Sequence, residues 1–473
     1  MLNNIIYTLP ELSIFFGIIN LCILNLLGKD SSKQYGYTAK LWLLVSLLFS
    51  ILFYNKSYNI TYFENTSYTL LFRMLVIIFS YILLSLAPTW FATENKTGCK
   101  FFVLFLSAII VSNLLISSIN IISIISCYSV LIYINYRLFA ISYDKYPSEA
   151  ATRYIGISAI IILLFSIGVY TLLLIYNLPP NLKSIADYIN NKDTFITEYI
   201  CVILILLPFL FSLGLVPFHI VAEDKVSKTI LPVSHYFAII APITFFAAFI
   251  KLNSVIFSQY EDEFSISYTI IGLATILFGA LGANARINLY RIYAYGTMFN
   301  FGVVMILFSM FTQSAYFTGF LYLLIYLLSL NGIYIIFYGL RSRGEFLSSI
   351  TSISGLSKSK PFLTNCLLIS LFSAMGFPPL VGFISQFSYI SEILSDKSYI
   401  VLGVILICFL VLAKSYLEII KTIYFEPKIK KYDTESKVLL FYIVLNIIIL
   451  NWLFINPHNV LEKIKDMFNV IYI

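Results

Sequence analysis

Apolar residues along this chain gather into runs separated by short polar connections. A helix that crosses a bilayer needs about 20 mostly apolar residues. By that measure the pattern predicts fourteen spans, at about 9–28, 38–54, 68–88, 101–118, 120–141, 154–177, 198–221, 231–252, 266–283, 289–311, 315–338, 362–394, 398–424 and 437–456. The longest polar connections lie near 55–67, 178–197 and 341–361, and none is long enough for a soluble domain. The expected fold is an all-α polytopic membrane protein.

Two runs are interrupted. Phe211–Asp224 reads FSLGLVPFHIVAED, with Pro217 between Gly214 and His219. Proline lacks an amide hydrogen and clashes with the carbonyl one turn back, so a helix breaks there. Ser373–Phe387 reads SAMGFPPLVGFISQF, with Gly376, Pro378, Pro379 and Gly382. In lipid, freed backbone groups persist only where protein or enclosed water satisfies them. Two such spans far apart in one chain point to an internal repeat with a transport-like centre.

Charge placement tests the count independently. Loops after odd-numbered spans carry Lys29, Lys33, Lys96, Lys100, Lys145, Lys225, Lys228, Arg286, Arg341, Arg343, Lys358, Lys360, Lys428, Lys430 and Lys431. The opposite side has Lys56, Lys183, Lys192 and Lys397, with Lys463 and Lys465 in the tail. The positive-inside rule then puts both termini outside and the basic loops in the matrix or cytoplasm.

Composition agrees. Of 473 residues 60% are hydrophobic and 11% charged, with mean hydropathy +0.91; a soluble domain carries about 25% charged residues. The six cysteines form no CxxC pair and sit mostly in apolar runs, which argues against a disulfide framework, zinc or iron–sulfur ligation. No cleavable leader is expected at the N-terminus. The abundance of Ile, Phe, Tyr, Asn and Lys fits an AT-rich, possibly organellar, genome.

The interrupted spans resemble the antiporter-like membrane subunits of respiratory complex I, specifically the family of NADH dehydrogenase subunit 2. The resemblance rests on Pro217-Phe218-His219, Asp224 and Pro232-Val233-Ser234; on Gly376-Phe377-Pro378-Pro379 with Gly382-Phe383-Ile384; and on Asn288-Leu289-Tyr290-Arg291 with Ala294-Tyr295. Tyr416-Leu417 with Lys421–Phe425, and Glu149-Ala150 with Tyr154, follow the same order. It covers roughly 120–425. It implies an inverted repeat, spans 4–8 and 9–13, with spans 7 and 12 broken. The chain then divides into an N-terminal three-helix segment (1–100), a first antiporter-like half (101–252), a second, inverted half (253–425) and a C-terminal helix and tail (426–473).

The resemblance also implies a mid-membrane line of buried lysines and one glutamate. Lysine suits that work because burial lowers its pKa towards the working range. At these positions the chain departs from the family. The glutamate of span 5 aligns with Tyr128, and the lysines of spans 6, 7, 8 and 12 align with Arg153, Ser212, Pro242 and Gln386. Arginine holds its proton permanently, and Ser212 and Gln386 do not titrate usefully. The expectation is a membrane-arm subunit whose own lysine relay is lost.

Substitutes remain. His235, seven residues before Pro242 and so two helical turns back on one face, is a relay candidate or a hydrogen-bonded histidine. His219 sits at the first break, as a polar contact or a structural residue. Lys414 is a displaced central lysine or the partner of Glu418 four residues on. Glu149 pairs with Arg153 or stands in for position 128. Lys251 is expected to snorkel to the interface, Asp224 to be solvated beside Lys225, and Arg286 and Arg291 to be positive-inside anchors.

The family's work is to move protons while other subunits oxidise NADH and reduce quinone. The resemblance therefore implies a non-redox subunit of proton-translocating NADH:ubiquinone oxidoreductase in a mitochondrial inner membrane or, alternatively, a bacterial plasma membrane. NADH, FMN, iron–sulfur clusters and quinone would be bound by other subunits, since this chain offers no phosphate-cradling glycine loop or cysteine ligand set. Partners would be neighbouring membrane-arm subunits, antiporter-like ones among them, and lipids, with no nucleic acid. The rivals are a cation/proton antiporter subunit of the same superfamily and a non-pumping structural subunit.

Overall fold

The computed structural model describes residues 8–28, 31–53, 58–59, 62–94, 98–141, 145–175, 177–190, 196–284, 286–428, 430–457 and isolated positions beyond. Twelve of the described helices are long and apolar enough to cross a membrane: Leu9–Leu26, Ser32–Leu52, Ser67–Thr93, Cys99–Ser117, Ile121–Phe139, Glu149–Ile175, Leu231–Val255, Phe257–Asn284, Leu289–Phe308, Gln313–Phe337, Tyr399–Phe425 and Lys437–Ile455. Two shorter apolar helices, Thr197–Leu213 and Pro361–Ala374, open the interrupted spans. With them the count reaches the fourteen expected.

Both interruptions fall where glycine and proline put them. The first helix of span 7 ends at Leu213, Gly214 takes φ +71°, and a new helix begins at His219. Span 12 ends its first helix at Ala374, Gly376 takes φ +68°, and Val381 starts the second. A proline follows each glycine by three residues, Pro217 and Pro379, each behind a cis peptide bond. At the second break Gly376 N–H donates to Ser373 O and Phe377 N–H to Phe372 O. This pattern closes helix carbonyls around a left-handed residue, which glycine adopts without steric cost.

The chain forms two compact units, Met1–Leu213 with Lys228–Tyr260 and Asp466–Ile473, and Gly214–Ser227 with Glu261–Lys465. In the first, Leu231–Val255 is the central helix and is buried along its whole window, whereas the N-terminal Leu9–Leu26 and Ser32–Leu52 are one-third buried. A helix apolar all round suits an enclosed position. In the second, Leu289–Phe308 and Gln313–Phe337 form the core. Exposed Leu, Ile and Phe on the outer helices, such as Leu163, Ile270, Leu410 and Phe441, are what a lipid-facing surface requires.

One irregularity was not expected. Leu231–His235 is α-helical, Tyr236–Ile240 forms a π turn, and Ala241–Val255 resumes the α-helix. The π turn bonds i to i+5 and holds more residues than an α turn, so the seven residues from His235 to Pro242 do not make two α turns. The expected shared face is corrected on that ground. Elsewhere two short antiparallel hairpins occupy connections, Tyr58–Asn59 with Glu64–Asn65 and Arg341–Ser342 with Glu345–Phe346.

Candidate functional site

In the first unit the structure joins two of the departing positions. Tyr128, on the Ile121–Phe139 helix, is fully enclosed, its ring edge-on to Phe165 and Phe245 with centroids 5.9 Å away. Its hydroxyl lies 2.9 Å from the Pro208 carbonyl and 2.9 Å from Ser212 Oγ. A phenol has one proton to give, so Tyr128 donates to Pro208 O and accepts from Ser212. The two side chains form a neutral hydrogen-bonded pair.

A neutral pair suits this enclosed position, because an uncompensated buried charge costs about 3–5 kcal/mol. Pro242 belongs to the same neutral interior. Near it, Tyr236 donates to Asn135 Oδ1 at 2.8 Å, and His235 is fully buried.

Lys251 does not snorkel. It is 6% exposed, and its ammonium lies 2.8 Å from Glu64 Oε1, 2.8 Å from Ile116 O and 3.1 Å from Ser118 O. These three acceptors match the three ammonium protons, which is why the side chain stays inside. A second buried pair, Arg73 with Glu11, ties the Ser67–Thr93 helix to the N-terminal helix, and Arg73 also donates to Asn65. Glu149 and Arg153 are exposed.

In the second unit, half-buried Gln386 folds back over the break and its Nε2 donates to Met375 O at 2.9 Å. Carbonyls at a helix end carry partial negative charge, so an amide donor there satisfies one of them without importing a charge. The half-helices approach closely: a Cβ on Gly382 would lie 1.8 Å from Ser373 O, a separation only glycine permits. Around them the interior is polar. Tyr322 bonds Asn300, Thr297 lies 3.0 Å from Tyr326, and Ser329 lies 2.8 Å from Ser373.

Other expectations change. The His219 ring stacks on Phe278, with centroids 4.6 Å apart and planes 21° apart. Asp224 and Lys225 are buried, not solvated. Lys414 and Glu418 are both exposed on the Tyr399–Phe425 helix. Among the described residues Lys414 makes no ion pair, so it is neither the interior lysine nor a partner of Glu418. Arg286 and Arg291 are more than anchors: both reach Glu223, at 3.7 and 3.1 Å, and Tyr295 donates to the same carboxylate at 2.5 Å. This cluster secures the helix after the first break to the start of Leu289–Phe308. The Tyr295 hydrogen bond pushes Arg286 above its already high pKa. Glu223, Glu64 and the Asn300–Tyr322 pair carried no local sequence signal.

The comparisons with known proteins agree with this geometry. Residues 129–413 match the family model described as NADH:quinone oxidoreductase/Mrp antiporter, transmembrane. NADH-quinone oxidoreductase subunit N of Pelagibacter ubique is 27% identical over 447 residues, covering 92% of this chain and 93% of that protein. In respiratory complex I from Thermus thermophilus, one chain superposes with a TM-score of 0.80 at 19% identity, covering 96% of this chain and 98% of its own length. A chain of the Mrp complex from Dietzia gives 0.85 at 15% identity, with 98% and 97% covered.

Proposed function

The chain belongs to the NADH:quinone oxidoreductase/Mrp antiporter transmembrane family, and we propose that it is a core membrane-arm subunit of a proton-pumping NADH:ubiquinone oxidoreductase whose own lysine relay is replaced by neutral hydrogen bonds. The observation that carries this reading is the contact between Tyr128 and Ser212. Two positions at which the family places an acid and a base are adjacent here, and neither side chain is charged. Gln386 at the second break and Pro242 in the central helix extend the same substitution. A chain without these groups still supplies scaffold and mechanical coupling within the complex.

Under this reading the redox centres and quinone are held by other subunits, and the partners are neighbouring membrane-arm subunits. The bacterial source of a relative covering nearly the whole chain supports a bacterial plasma membrane, while the residue bias supports a mitochondrial inner membrane. Membrane fractionation of the source cells separates the two.

The test is the number of protons moved per electron by the reconstituted complex. The expected value is below that of complexes whose corresponding subunit keeps every lysine, and an equal value refutes the proposal. Blue-native electrophoresis addresses the antiporter alternative. Migration with NADH dehydrogenase activity supports a complex I subunit, and migration apart from it supports an antiporter.

A further inference from the structure

We propose that Arg286, Arg291 and Ser227 seat the phosphate of an anionic phospholipid on the basic-loop side of the membrane. The site shares no residue with the Tyr128–Ser212 contact, and the inference does not rest on the proposed function.

The three residues line one cavity of about 430 Å³ together with Ile287 and Asn288. Glu223 holds both guanidinium groups. Tyr295 steadies Arg286 further, accepting a hydrogen bond from its Nη2 at 3.2 Å and placing its ring 5.4 Å from the guanidinium carbon. One carboxylate cannot neutralise two arginines, so the cluster keeps a net positive charge. Because the arginines are already fixed, they lose little freedom when an anion arrives.

Two unsatisfied polar groups belong to residues that line the cavity. Among the described residues, Arg286 Nε and Ser227 Oγ have no hydrogen-bond partner, although buried donors are normally satisfied. Arg291 spends its Nε on Glu223, which leaves its two terminal amino groups for other oxygens. Planar guanidinium groups match phosphate oxygens well. The claim does not depend on the helix start, because Asn288 Oδ1 already accepts from the Tyr290 and Arg291 amides.

Two features favour a lipid over free phosphate. Ile287, on the cavity wall, is 68% exposed, which gives an acyl chain an apolar contact. Arg286 and Arg291 fall at one of the basic connections, the side on which anionic headgroups attract Lys and Arg.

The experiment uses the purified complex containing the full chain, with phosphatidylglycerol carrying a photoreactive acyl group as probe. Capture on the peptide containing residues 286–291 is expected, and the phosphatidylcholine analogue should be captured more weakly. Each surface arginine contributes about fivefold, so R286Q/R291Q should lower capture about 25-fold. Equal capture by R286Q/R291Q, or equal capture of both lipids, overturns the proposal. Displacement of the probe by inorganic phosphate assigns the cavity to a free anion and overturns the lipid. If R286Q/R291Q does not assemble, the single variants R286Q and R291Q decide: each should lower capture about fivefold, and unchanged capture in both counts against the seat.

Discussion

Returning charge to the Tyr128–Ser212 pair probes the neutral interior directly. Ser212 is 8% exposed and Tyr128 fully enclosed. Ser212→Lys alone puts an ammonium against a phenol and a carbonyl. An uncompensated buried charge costs about 3–5 kcal/mol, a large share of the roughly 5–15 kcal/mol that holds a typical protein folded. Y128E/S212K supplies the counter-charge and relieves crowding, because Glu is smaller than Tyr. The double variant should therefore recover about 2–4 kcal/mol relative to the sum of the single changes, a coupling typical of contacting buried charges. Tyr128→Phe removes only the donation to Pro208 O and the bond from Ser212, and should cost about 1–2 kcal/mol. The assay is the melting of each assembled complex, read as loss of the intact band on blue-native gels after graded heating. S212K should melt well below the parent, and Y128E/S212K between them. If S212K melts like Y128E/S212K, the pocket is wet and the reasoning fails.

Further expectations follow from the same structure. Glu64→Gln leaves the Lys251 ammonium on two carbonyls and should destabilise the complex by about 3 kcal/mol, whereas E64L/K251M should lie within about 1 kcal/mol of the parent; equal melting of the two variants would refute the buried pair. Gly382→Ala drives a methyl into the Ser373 carbonyl and should cost about 1–3 kcal/mol, visible as lower steady-state assembly, while parental assembly would mean the break is loose. Gln386→Leu removes the donor to Met375 O and should cost about 1–2 kcal/mol, and Gln386→Lys should retain that contact; thermal melts that rank Lys below Leu would contradict the capping role. Lys414→Gln, on an exposed face, should shift melting by no more than about 0.5 kcal/mol within this chain.

Span number and both breaks were legible in the sequence because bilayer thickness dictates run length and because Gly214, Pro217, Gly376 and Pro379 act locally. That Tyr128 and Ser212 touch was not legible, since 84 residues separate them. The π turn at Tyr236–Ile240 contains no Gly or Pro, and the proline signal beside it is Pro242, at the start of the resumed α-helix. Hydropathy says little about which face of a span points inward, because lipid and protein interior are similarly apolar. That is why Lys414, placed by depth alone, turned out to face outward. Lys251 illustrates the same limit in reverse: its partner Glu64 sits on a hairpin in a distant connection, beyond the reach of any local pattern.

The Lys251 contact has a consequence for biogenesis. Glu64, Ile116 and Ser118 all precede Lys251 in the chain, and synthesis runs from the N-terminus. The acceptors have therefore left the ribosome before the amine arrives. A nascent chain cut after the Leu231–Val255 helix already contains every group that this lysine needs. The positive charge meets acceptors already made, and the most enclosed helix of its unit can insert without leaving an ammonium unpaired.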